Sequence, residues 1–137
     1  MTIKTCNYVH PVEILRTQIL ICVGLSFKQY NLMLKYAVEK IEDRKTLSTP
    51  ERFFKGKGWA FVEPSSKTSV LWLNKFDLSW DAINNLAHEV YHLIDYYAKH
   101  YDFTDEQEFK AYLFEWLFND IRHQLFLKLN IKEVKTL

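Results

Sequence analysis

Two histidines four residues apart, with a glutamate directly after the first, stand at His88-Glu89-Val90-Tyr91-His92. These residue types bind metals and move protons. On a helix, His88 and His92 project from one face a turn apart, so both imidazoles can reach a single ion. Glu89 sits about 100° further round the helix than His88. Its carboxylate then stands beside an ion rather than on it, where it can take a proton from a bound water. The chemistry indicated is hydrolysis by metal-activated water, with Glu89 as the general base.

Catalytic zinc usually takes three protein ligands and leaves one position open. The extended pattern that adds a glycine and a third histidine does not continue here, because Asp95 and Ala98 occupy those places. A carboxylate is the remaining choice. Thr104 to Ile121, TDEQEFKAYLFEWLFNDI, reads as a second helix carrying Glu106, Glu108 and Glu115. Glu108, Tyr112, Glu115 and Asn119 share one polar stripe, while Phe109, Leu113, Trp116, Leu117 and Ile121 lie largely on the apolar side. If the two helices pair antiparallel, that seam faces His88 and His92, with Glu108 as the favoured third ligand and Glu115 as the alternative. Reaching the ion from Glu108 requires the intervening loop to fold back. Asp95, on the stripe of the histidines, is read as orienting a ligand from behind or as a direct ligand. Tyr112 either donates its hydroxyl to an oxyanion or fills space beside Ala111.

The elements that must position these groups are readable in outline. Ser79 caps the HExxH helix, which is expected to run to about Lys99 with Ile83, Leu86, Ala87, Val90 and Ile94 toward the core. Thr104 and Gln107 make a capping box for the next helix, with the chain turning at Tyr101 to Phe103. Earlier, Val12 to Val23 reads as one strand buried on both faces at its end. Ser26 and Gln29 form a capping box for a helix to about Arg44, burying Phe27, Tyr30, Met33, Leu34, Ala37 and Ile41. The polar stretch up to Gly58 is a loop with room for a short helical turn, and its Gly56-Lys57-Gly58 lacks phosphate-loop spacing. Trp59 to Glu63 and Ser69 to Asn74 read as two strands around Pro64 to Lys67, an aromatic hairpin. Trp59, Ala60 and Phe61 are the candidate sheet edge along which an extended substrate could pair. The expected fold is α+β, one domain over residues 1–137, with a small and mostly antiparallel sheet packed against helices.

LAHEVYHLID followed by EFKAYLFEWL resembles the small single-domain zinc metallopeptidases of phages and prophages, in which a glutamate on the helix after HExxH completes the site. More broadly it is similar to a minimal gluzincin, related in plan to prophage peptidases that cleave phage repressors. The resemblance implies a zincin-like fold, one Zn2+ per chain held by His88, His92 and Glu108, and Glu89 as the base. It also implies a peptide or protein substrate of host or phage origin. The similar order of elements spans most of the chain, but only the last two helices carry specific motifs. Phe109 follows the ligand glutamate where the repressor-cleaving relatives have alanine.

Of the 137 residues, 48% are hydrophobic and 16% aromatic, enough for a real core in a single domain. A formal charge of +1 gives no electrostatic argument for nucleic acid or an anionic membrane. Cys6 and Cys22 form neither a disulfide framework nor a metal spacing. The apolar run Ile19 to Leu25 is too short to span a bilayer, so the expectation is a cytoplasmic protein, in the host if phage-encoded. His100 and His123 have no partner spacing and read as surface or hydrogen-bonded groups. Two rival readings remain: a catalytically silent zincin-fold protein that engages a host partner, and a structural virion component. The same ligands accept other divalent ions.

Overall fold

The structure, a computed structural model, describes residues 4–37, 47–63 and 68–131. Its elements in chain order are β1 (Cys6–Val12), β2 (Thr17–Val23), α1 (Phe27–Ala37), β3 (Gly58–Glu63), β4 (Thr68–Leu73), α2 (Trp80–His100) and α3 (Gln107–Lys128). Short 3-10 turns lie at Glu13–Leu15 and Glu51–Lys55. The class is α+β, with three helices among the described residues. The sheet is mixed, in the order β1-β2-β4-β3: β1–β2 and β3–β4 are antiparallel and β2–β4 is parallel.

The single strand expected from Val12 to Val23 is instead the second half of a hairpin. β1 ends at Val12, and the 3-10 turn is closed by Arg16, whose left-handed backbone (φ 53°) lets its N–H reach the Glu13 carbonyl at 3.0 Å. The pairing then runs from Val12↔Thr17 to Cys6↔Val23. β1 is an edge strand, the place where a proline such as Pro11, with no N–H to give, is tolerated.

β2 is apolar because both of its faces are covered. Ile19, Ile21 and Val23 point to the core under α2 and α3, while Leu20 and Cys22 point to the core under α1. β4 divides the same way, with Leu71 and Leu73 on the first face and Val70 and Trp72 on the second. The Ser26/Gln29 capping box is formed reciprocally: Ser26 N–H donates to Gln29 Oε1 at 2.8 Å and Gln29 N–H to Ser26 Oγ at 3.1 Å. Tyr30 and Leu34 are the buried stripe of α1, and the Tyr30 hydroxyl donates to the Leu47 carbonyl at 2.7 Å. The expected extension of this helix past Ala37, including Ile41, and the turn Pro64 to Lys67 lie outside the described residues.

α2 and α3 pack side by side on the other face, burying Leu86, Val90 and Leu93 of one helix and Leu113, Leu117 and Ile121 of the other. Each such side chain contributes roughly 1.5–3 kcal/mol by leaving water. Ser79 caps α2 as expected, its Oγ accepting from Ala82 N–H at 3.2 Å. The second capping box does not form. α3 begins at Gln107 after Glu106, with no side-chain cap, because the chain leaves α2 through a left-handed Asp102 (φ 59°) and turns on Phe103 and Asp105 carbonyls. No helix among the described residues is long and apolar enough to cross a membrane.

Candidate metal centre

α2 carries His88, Glu89 and His92 midway along its length, held by a helix whose inner face is anchored by Leu86, Val90, Leu93 and Tyr97. The Tyr97 hydroxyl meets Ser69 of β4 at 2.6 Å, which pins the rotation of the helix on the sheet. That rotation puts both imidazoles at the surface and Glu89 inside, 4% exposed.

His88 Nε2 and His92 Nε2 are 3.0 Å apart, with rings edge to face at 86°. Two imidazole nitrogens on a tetrahedral zinc ion stand about 3.3 Å apart, given zinc–nitrogen bonds of about 2.0–2.1 Å. The bite therefore suits a divalent ion, and without one the same distance is a hydrogen bond with one ring donating and the other accepting. The donor atoms of His88, Glu89 and His92 all lie within 4.8 Å of one another. Burial raises the pKa of the Glu89 carboxyl, and the neighbouring His88 opposes that shift.

β3 packs against the buried member of this group. Gly58 lies against Glu89: a Cβ built there would stand 3.3 Å from Glu89 Cγ and 3.0 Å from the Trp72 carbonyl oxygen. The absence of a side chain lets strand and helix approach. β3 is an edge strand, so one side of its backbone has no ladder partner among the described residues. Of the three residues read as the substrate edge, Ala60 packs on the α2 side. Trp59 and Phe61 pack on the opposite face, where Trp59 stacks on Trp72 with centroids 6.1 Å apart.

The other expected site residues are not gathered here. Glu108, Tyr112, Glu115 and Asn119 do share a stripe, but it is the exposed outer face of α3, because Leu113, Leu117 and Ile121 take the inner one. The spacing shows that they lie together, burial of the leucines turns them to solvent, and none of them belongs to the cluster of His88, Glu89 and His92. Glu108 instead lies beside Glu13 and Ile14 at the turn after β1. Asp95 stands outside the cluster, its carboxylate paired with Lys99 at 3.1 Å. The site among the described residues is thus two nitrogen donors with a buried carboxylate between them and the strand.

Two features escaped sequence reasoning. Gly58 gave no sign of its contact with Glu89, which joins residues far apart in sequence. His10 was missed with β1 itself. It is 3% exposed, with Nε2 3.0 Å from Asp120 Oδ2 of α3 and Nδ1 3.3 Å from the Tyr8 hydroxyl. The Asp120 oxygen sits at ion-pair distance but off the N–H axis, so Nε2 lacks an aligned hydrogen bond. Alternation of Tyr8, His10 and Val12 was the available signal.

Comparison of the chain with protein-family models, with curated proteins and with solved structures gave no match in any of the three.

Proposed function

We propose that this protein is a zinc-dependent peptidase of the HExxH type, cleaving a peptide or protein substrate in the cytoplasm. The observation that carries this reading is the His88/His92 pair at 3.0 Å with the Glu89 carboxylate inside the same 4.8 Å cluster, on a helix beneath a sheet edge. His88 and His92 would hold the ion through Nε2. A bound zinc ion supplies Lewis acidity to water and to the scissile carbonyl. Glu89, shielded by Gly58 and β3, holds its carboxylate where it can accept a proton from water and return it to the departing amine. The outward side of β3 offers backbone groups for an extended chain. A zincin-like arrangement and the phage resemblance belong to the same proposal.

The test is metal content together with hydrolysis of a mixed peptide library. Protein loaded with zinc and desalted should retain one ion per chain, and His92→Ala should lose it. Glu89→Gln should keep the metal and lose roughly 100-fold or more of the cleavage rate, the usual contribution of a general base. Wild-type protein that takes up no zinc, or cleavage that survives a chelator, would overturn the reading. The binding-protein reading is favoured by one observation, that Glu108 and Glu115 are exposed and lie outside the His88, Glu89 and His92 cluster. It expects zinc retention with no cleavage in either wild type or Glu89→Gln.

A further inference from the structure

We propose that the outer face of α3, together with the turn after β1, is a docking groove for a basic peptide segment that carries apolar anchors. Tyr112 and Trp116 line two adjoining depressions of about 520 and 440 Å³, which makes them one continuous surface. Ile14 and Glu13 wall the first, and Asn119 and Asp120 wall the second. Tyr112 is 76% exposed, Ile14 65% and Trp116 42%. Three large apolar side chains facing water on one patch are more than the scattered exposure of an ordinary surface. Tyrosine and tryptophan are also the side chains that most often dominate binding energy at interfaces.

Charge commits the occupant. Glu13, Glu108, Glu115 and Asp120 line the two depressions, and apart from the imidazole of His123 no basic side chain does. The cations of α3 are engaged elsewhere. Lys110 Nζ donates to the Thr104 carbonyl at 3.3 Å, Arg122 lies over Phe118 and Phe126, and Lys128 lies over the Tyr8 ring at 4.8 Å. Among the described residues, Glu13, Glu108 and Glu115 form no ion pair, and the partner of Asp120 is the buried His10 behind it. The whole chain carries a formal charge of +1, so this negative face is a local concentration rather than a general property. From Glu108 to His123 the helix extends about 22 Å, enough to seat roughly four turns of a partner helix. The proposal does not rest on the metal reading, since neither depression is lined by His88, Glu89 or His92.

The probe is a fluorescein-labelled 15-residue amphipathic peptide of leucine at helical spacing with lysine elsewhere, followed by anisotropy against the intact protein. A counterpart with glutamate for lysine is the control. The lysine peptide should bind and the glutamate peptide should not. Tyr112→Ser and Trp116→Ser, which leave the charge unchanged, should each weaken binding roughly tenfold. Glu108→Lys with Glu115→Lys should abolish it. All four positions are exposed, and matching thermal melts confirm that the variants fold. Equal binding of both peptides, binding that ignores Tyr112→Ser and Trp116→Ser, or no binding at all would overturn the proposal. Sedimentation showing a dimer that Trp116→Ser dissolves would also overturn it, by assigning the face to a second copy of this chain.

Discussion

A methyl group at Gly58 would stand 3.0 Å from the Trp72 carbonyl oxygen, 3.2 Å from Leu73 Cδ2 and 3.3 Å from Glu89 Cγ. The first of these is backbone of the neighbouring strand and cannot step aside, so the strain falls on β3 or on Glu89. Gly58→Ala should therefore cost about 1–3 kcal/mol, the usual range for an overfilled site. Urea unfolding should show a lower midpoint with an unchanged slope. An unaltered midpoint would mean that the strand does not close over Glu89. The carboxylate beneath it allows a second prediction, in protein stripped of metal. Burial raises the Glu89 pKa, with His88 opposing. The folded state then holds its proton more tightly than the unfolded one, and this group's contribution to stability falls as pH rises from the unfolded value through the folded one. Glu89→Gln keeps the shape and cannot ionise, so at pH 7 it should be as stable as wild type or more so, with the advantage vanishing near pH 4. A variant clearly less stable at pH 7 would show that the ionised carboxylate has a partner that offsets its burial.

At the scale of elements, two sequence patterns of the same kind had different outcomes. Ser26 with Gln29 and Thr104 with Gln107 both have the capping-box spacing, yet only the first makes the reciprocal bonds, at 2.8 and 3.1 Å. Ser26→Ala should cost about 1 kcal/mol. Thr104→Ala should stay within about 0.5 kcal/mol, like other exposed changes. Equal losses in thermal melts would mean that α3 starts earlier than Gln107. The pattern could not separate them, because the start of α3 depends on a left-handed Asp102 and on carbonyls of the preceding turn. The same limit applies to the stripe of Glu108, Tyr112, Glu115 and Asn119. Helical spacing shows which residues share a face, whereas the direction of that face depends on how Leu113, Leu117 and Ile121 meet the sheet. β1 was hidden by Pro11, which argues against a central strand and is compatible with the edge position that the strand takes. What was legible had short-range causes: the Ser79 cap, the Ser26 box, the β3–β4 hairpin, and two histidines a turn apart.

Across the whole molecule, β1 and α3 are joined at one buried titratable group. His10 of β1 lies 3.0 Å from Asp120 of α3 and packs near Tyr8 and Trp116, with ring centroids at 5.8 and 6.4 Å. Burial lowers its pKa below the ordinary imidazole value of 6.5, and Asp120 pulls it part of the way back. The unfolded chain therefore takes up this proton first as pH falls. Stability from neutral His10 is complete above about pH 6.5 and is lost as pH falls through the lower folded value. His10→Gln keeps a donor and an acceptor in the place of the imidazole but does not titrate in this range. Wild type should lose stability relative to His10→Gln between about pH 7 and 5 in matched denaturant titrations, and the two should run parallel above that. The opposite slope, with wild type gaining on the variant as pH falls, would mean that the Asp120 carboxylate outweighs burial and that the contact is a charged pair in the folded protein. Because Asp120 also lines the groove on α3, the slope also bears on a basic segment seated there. A neutral His10 leaves the Asp120 charge free to meet an incoming cation, whereas a protonated one already neutralises it. Affinity for the lysine peptide should then hold while stability first declines below about pH 6.5, and fall only as the pH passes through the lower folded value of His10.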